Sequence, residues 1–150
     1  MNARDLLENL PPSTDNILMI LHKYQERNAR NYITEADMRE VSEYLQVPYS
    51  WVYGVVSYYS MFSLTPRGKN IIRVCKSPVC HMEGSGFVLD ALRENLGIGI
   101  GETTRDGLFS LEYTECLGRC DSSPVMMVND TIYGGLDSSK VRSILESFRK

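Results

Sequence analysis

Val74-Cys75-Lys76-Ser77-Pro78-Val79-Cys80 and Glu115-Cys116-Leu117-Gly118-Arg119-Cys120 hold all four cysteines of the chain, within one stretch from Ile71 to Asp121. The first segment spaces its cysteines as C-x4-C and the second as C-x3-C. Residues 81 to 115 separate the two pairs, so they meet only if the fold brings two loops together. That is how a four-thiolate metal site is built. Structural zinc sites tend to use tight knuckles, whereas wider loops wrap a larger inorganic core and turn backbone N–H groups toward its sulfides. A [2Fe–2S] cluster takes four cysteine thiolates, two on each iron, and two separate pairs suit that division. A [4Fe–4S] cluster takes four as well, so the count leaves it open. Two disulfides or four unrelated thiols are the plainer alternatives. Disulfides go with export, and the first residues, Met1-Asn-Ala-Arg-Asp-Leu-Leu-Glu-Asn-Leu10, carry acids and no long apolar core of the kind a secretory signal needs.

Working outward from these loops, Ile71 to Cys75 reads as a buried strand that delivers the first ligand at its end. Gly84-Ser85-Gly86 opens a helix through Leu96, apolar at Val88, Ala91, Leu92 and Leu96. Gly97 to Gly101 is a glycine-rich turn. Residues Leu108 to Tyr113 alternate Leu108, Ser110 and Glu112 against Phe109, Leu111 and Tyr113, as suits a strand with one solvated face, and lead to the second cysteine pair. Pro124 to Val128 and Thr131 to Tyr133 form a hairpin about Asn129-Asp130. A last helix starts near Asp137, with Val141, Ile144, Leu145 and Phe148 at core spacing.

Upstream the period is helical. A short helical turn over Ala3 to Asn9 precedes Pro11-Pro12. Ser13 or Thr14 caps a helix running to about Ala29, with Ile17, Ile20, Leu21 and Tyr24 on one face. Thr34, followed three residues on by Asp37, starts a second helix to about Gln46 in the manner of a capping box. A third opens at Pro48 to Ser50 and buries Val52, Val55, Val56 and Tyr59. It also carries Trp51, Tyr53 and Tyr58, more aromatics than one buried face holds. The expected organisation is a helical bundle over 1–63, a linker over 64–70 containing Pro66 and Gly68, and an α/β domain over 71–150.

Composition narrows the function classes. The apolar share is 43% and the charged share 23%, ordinary for a globular chain. Net charge is −3 with the cysteines neutral. Four thiolates around an oxidised Fe2S2 core bring it to about −5, and one electron to about −6. This argues against a nucleic-acid partner, which needs a basic face. No apolar run reaches membrane-spanning length. The expected compartment is the cytoplasm, where thiols stay reduced.

The run Gly101-Glu-Thr-Thr-Arg-Asp-Gly-Leu-Phe-Ser-Leu-Glu-Tyr-Thr-Glu-Cys-Leu-Gly-Arg-Cys120 resembles the second cluster segment of the thioredoxin-like [2Fe–2S] ferredoxin family. So do Val52-Tyr53-Gly54-Val55-Val56-Ser57-Tyr58-Tyr59-Ser60-Met61-Phe62, Pro66-Arg67-Gly68-Lys69 and Tyr133-Gly134 resemble other stretches of that family. The likeness extends over roughly Asp15 to Phe148. It implies a thioredoxin-like α/β ferredoxin domain behind a small helical bundle, with Cys75, Cys80, Cys116 and Cys120 as ligands of one [2Fe–2S] cluster. It also implies the role of an electron-transfer subunit without a substrate site of its own. Such subunits belong to NADH dehydrogenase modules of complex I, NAD-linked formate dehydrogenases and bifurcating hydrogenases. The implied partners are a flavoprotein subunit that binds FMN and NADH and further iron–sulfur subunits. One departure stands out. The first cysteine loop reads Lys76-Ser77-Pro78-Val79 where family members often carry small residues, and Pro78 removes an N–H that could reach sulfur. Hydrogen bonds to sulfur tune the potential, so this loop bears on it.

Two rivals remain from other classes: a zinc-stabilised structural adaptor and a freely diffusing ferredoxin. His22 and His81 are not needed as ligands where four cysteines are present. Gly97-x-Gly99-x-Gly101 follows a helix and lacks the dinucleotide-binding pattern. C-x4-C is too wide for a thioredoxin-type dithiol. Lys76 and Arg119 lie inside the ligand loops, where they either favour the extra electron, meet an acidic partner surface or point to water.

Overall fold

Strand pairing, more than helix packing, decides where the cysteines end up. In the computed structural model, which describes residues 10–149, the chain divides into two units, one ending at Arg67 and the other beginning at Gly68. The helical turn expected over Ala3 to Asn9 lies outside the described residues.

The first unit is helical: a 3-10 turn Thr14–Asn16, then α1 (Ile17–Arg27), α2 (Glu35–Leu45) and α3 (Tyr49–Tyr58). The apolar line of α1, Ile17, Ile20, Leu21 and Tyr24, is buried throughout. The capping box at α2 forms as expected. Thr34 Oγ1 accepts from the Asp37 N–H at 3.1 Å, and Asp37 Oδ2 accepts from the Thr34 N–H at 2.8 Å. Asp37 also takes the Arg27 guanidinium at 2.6 Å, tying the end of α1 to the start of α2. Met38, Val41, Leu45, Val52, Val56 and Phe62 complete the core with α1. On α3 only Val52 and Val56 are buried. Tyr59 lies just past the helix with its ring exposed, and Trp51, Tyr53 and Tyr58 are exposed too. The unit closes on Arg67, whose guanidinium donates to the carbonyls of Met61, Ser60 and Phe62.

The second unit is α/β. Its order is β1 (Asn70–Cys75), α4 (Pro78–Met82), α5 (Ser85–Leu96), β2 (Phe109–Thr114), a 3-10 turn Cys120–Ser122, β3 (Met126–Val128), β4 (Thr131–Tyr133) and α6 (Ser138–Phe148). The sheet order is β2-β1-β3-β4. β1 and β2 are parallel, and the remaining neighbours are antiparallel. Parallel neighbours need a crossover connection, here supplied by α4 and α5. Side chains of a strand alternate between faces. Ile72 and Val74 therefore enter the core with Leu92, Phe109, Leu111, Met126, Val141 and Leu145, and Cys75 falls on the other face.

Two local expectations change. The first cysteine loop contains a short helix, α4, with Pro78 in its first turn. Proline is pre-set for that position, since its missing N–H is one the helix would leave unbonded anyway. On β2 the alternation is incomplete. Ser110 is buried, not solvated, because its hydroxyl holds the Gly68 N–H at 2.7 Å and meets the Thr103 hydroxyl at 2.7 Å. Tyr113, expected to face the core with Phe109 and Leu111, is exposed. The predicted hairpin forms, with Asn129 in the left-handed region at φ 52°, as the tight turn between β3 and β4 requires.

Candidate metal centre

The parallel register pairs Cys75 with Thr114, and the Lys76 N–H extends the ladder to the Thr114 carbonyl at 3.0 Å. The carboxyl ends of β1 and β2 thus finish side by side. Cys75 is the last residue of β1, and the chain turns at once into α4, which carries Cys80. Two residues beyond β2 comes Cys116, and Cys120 opens the 3-10 turn. All four cysteines are free thiols. The two pairs differ in environment. Cys75 and Cys80 are fully buried, packed with Val125 and flanked by Leu117, whereas Cys116 and Cys120 are exposed.

The Sγ atoms of Cys116 and Cys120 are 3.7 Å apart. Two thiolates on one tetrahedral metal, each bonded at about 2.3 Å, lie about 3.8 Å apart, so this pair already has the spacing of a shared ion. Among the described residues no three of the His, Cys, Asp or Glu side chains gather as a single-ion site. A binuclear core asks for two pairs and not for four sulfurs around one point, and two pairs are what the loops present. Donors line the sulfurs. The Gly118 N–H reaches Cys116 Sγ at 3.4 Å, from a backbone at φ 74° that glycine adopts without strain. The Ser77 hydroxyl lies 3.1 Å from Cys75 Sγ; that of Ser123 is 3.6 Å from Cys80 Sγ but donates to the Cys120 carbonyl at 3.0 Å. The residues present therefore fit a cluster held by thiolates.

These contacts move the thiols in different directions. Burial pushes Cys75 up, but the Ser77 hydroxyl and N–H, with Cys80 and the Leu117 N–H, outweigh it and hold the thiol below its ordinary value. Cys116 is lowered, first by the Gly118 N–H and then by Cys120 and Ser77. Cys120 is raised, first by its bond to Cys116 and then by the charge there. Metal binding needs thiolates, and these contacts make ionisation easier at Cys75 and Cys116 and harder at Cys120 than for an ordinary thiol.

The two cations in the ligand loops have partners of their own. Lys76 Nζ meets Glu115 at 2.8 Å, and Arg119 meets Asp121 at 3.4 Å. His81 is exposed, and the His22 ring packs 4.9 Å from Phe62 in the helical unit. Sequence reasoning assigns no contact near the sulfurs to Ser77 or Ser123. The only signal for Ser77 is its place before a proline, an ordinary helix-opening position. Gly134, which enters the sequence reading only as part of the family likeness, backs the second loop. A Cβ there would lie 2.5 Å from the Ser122 hydroxyl.

A thiol-rich end on a thioredoxin-like α/β layer is the form of a small iron–sulfur protein. Comparison with known proteins agrees. The family model described as thioredoxin-like [2Fe–2S] ferredoxin matches residues 3–149, and the chain belongs to that family, whose cofactor is one [2Fe–2S] cluster. The chain is 35% identical over 142 residues to HndA, a subunit of the NADP-reducing hydrogenase of Solidesulfovibrio fructosivorans, covering 95% of this chain and 82% of that one. It is 38% identical over 138 residues to a subunit of the NADH-quinone oxidoreductase of Aquifex aeolicus, covering 92% and 85%. Among solved structures it shares the fold of an NAD+-reducing [NiFe]-hydrogenase chain. The TM-score is 0.79 at 22% identity, over 92% of this chain but only 23% of that much longer one. Among the described residues no helix is long and apolar enough to cross a membrane.

Proposed function

We propose that this chain is the small electron-transfer subunit of an NAD(P)H-linked oxidoreductase complex, with Cys75, Cys80, Cys116 and Cys120 as the ligands of its one cluster. The observation that supports it best is the pairing of four free thiols at the ends of β1 and β2, two buried and two exposed. Relatives named as hydrogenase and NADH-quinone oxidoreductase subunits point to the same kind of complex. The partner we assign is a flavoprotein subunit carrying FMN and binding NADH, with further iron–sulfur subunits beyond it.

A [2Fe–2S] cluster supplies a one-electron couple, which splits the electron pair a flavin receives from a nicotinamide. The chain's own residues do the rest. Cys75 and Cys80 would hold the cluster from an apolar pocket lined by Val125 and flanked by Leu117. Cys116 and Cys120, both exposed, would hold it from the surface, where a partner could approach. The Gly118 N–H and the Ser77 hydroxyl face the sulfurs and offset their negative charge. In this reading 71–150 is the carrier domain, 1–63 a helical domain specific to complex-bound subunits, and 64–70 the join. A chain that keeps four thiols free for iron suits a reducing compartment, the cytoplasm.

The test is made on anaerobically purified full-length protein: iron and acid-labile sulfide per chain, and EPR after dithionite reduction. About two irons and two sulfides with an S = 1/2 signal are expected, together with copurification of a flavoprotein when the chain is tagged in its own host. One zinc, no sulfide and no signal would overturn the reading and leave a structural adaptor. A complete cluster with no flavoprotein partner would leave a diffusing ferredoxin.

A further inference from the structure

Ser77 occupies the N-cap position of α4. A serine there ordinarily accepts an N–H from the first helical turn. Ser77 makes no such bond. Its hydroxyl is turned instead to Cys75 Sγ at 3.1 Å, so a capping contact is given up for one to sulfur. The other hydroxyl near a buried sulfur behaves differently. Ser123 lies 3.6 Å from Cys80 Sγ, but it donates its proton to the Cys120 carbonyl at 3.0 Å.

We propose that the Ser77 hydroxyl donates to the Cys75 sulfur and sets the reduction potential of the cluster upward. This rests on the reading that Cys75 is a ligand. A donor aimed at a thiolate stabilises most the state with more negative charge on sulfur, which is the reduced one. The bond is worth more inside the protein than in water. Because Cys75 is fully buried, water does not replace the donor when it is removed. Ser77 is thus a positioning residue that acts through a ligand. Nothing in the count or spacing of the cysteines encodes it.

The experiment is an anaerobic, EPR-monitored redox titration of the full-length holoprotein, comparing wild type with Ser77→Ala and with the shape-matched pair Ser77→Thr and Ser77→Val. Iron and sulfide are assayed in each sample. Ser77→Ala and Ser77→Val are expected to disfavour reduction by about tenfold, a fall of about 59 mV for one electron. Ser77→Thr, which keeps the hydroxyl, is expected to stay within about threefold of wild type. Wild-type potentials in both Ala and Val variants with intact clusters would overturn the proposal. So would loss of the cluster from both with retention in Thr, since the hydroxyl would then hold the loop and not tune it. Wild-type protein free of iron and sulfide would instead sink the proposed function beneath it.

Discussion

Burial separates the four cysteines into two kinds, and substitution should expose the difference. Serine offers an oxygen on a shorter bond, so a serine ligand requires its loop to move inward, and its alkoxide needs solvation. At Cys116 both demands are met. The site is exposed, and the loop runs through Gly118 at φ 74°, where backbone adjustment is easy. At Cys80 neither is met. The residue is fully buried on α4 against Val125, and an oxygen anion in an apolar pocket is penalised by desolvation. Cys116→Ser is expected to retain about two irons and two sulfides per chain with an altered visible spectrum, and Cys80→Ser to lose most of its iron. Equal retention in both, measured by metal and sulfide assay, would mean that burial does not govern ligand exchange here. The same contrast explains what is legible at this scale. Cysteine spacing points to the four candidate ligands, because each pair is close in sequence. The contact of Ser77 is not legible, because a serine before Pro78 reads as an ordinary helix opening and its rotamer alone turns it 3.1 Å from Cys75 Sγ; that of Gly134 is not, because its neighbour Ser122 lies twelve residues off.

At the scale of the element, what shows in the sequence is what has local partners or a full hydrophobic period. Thr34 and Asp37 form a capping box because both partners lie within four residues, so the signal is local. α4 escapes sequence reading because a five-residue helix has no room for a hydrophobic period. β2 reads as evenly alternating, and Ser110 overturns that through partners far along the chain, above all the Gly68 N–H. Local capping also gives α6 a pH dependence. Asp137 is its N-cap, accepting from the Lys140 N–H at 2.8 Å and from the Ser139 hydroxyl at 2.6 Å. The Ser139 hydroxyl first, then the Lys140 N–H, hold the carboxyl below the usual aspartate range. A carboxyl whose folded value is depressed stabilises the fold above its unfolded value, about 3.9, and loses that contribution as pH falls through the folded value. Asp137→Ala should therefore be less stable than wild type at neutral pH, and the gap should narrow as the pH drops below the ordinary aspartate range. Denaturant melts of both proteins across that range check the sign, and a gap that widened on acidification would contradict it.

For the whole molecule, the cores decide what the cluster stabilises. The helical unit is built on Ile20, Leu21, Tyr24, Val41 and Val52 and contains no cysteine. In the second unit the sheet core around Ile72, Leu92, Phe109, Leu111 and Leu145 is also distinct from the thiol pocket of Cys75, Cys80 and Val125. A ligand that binds only the folded site stabilises the segments that form it, and segments with their own buried cores open independently. Removing the cluster by anaerobic chelation should therefore raise amide exchange in the ligand loops, 76–83 and 115–124. The helices α1 to α3 and the centre of β1 should remain protected. Apart from the thiols, contacts that tie the loops to the rest of the unit and to each other include Lys76 N–H to Thr114 and Cys75 N–H to Val125, the Lys76–Glu115 ion pair at 2.8 Å, and the Gly135 N–H on the Ser122 carbonyl at 2.5 Å. Hydrogen-exchange mass spectrometry of holo and apo chains reads this directly. Exchange confined to the loops fits a fold that forms first and then accepts the cluster. Loss of protection across α5, α6 and β1 would mean that the cluster is part of the core and that the α/β unit does not stand without it.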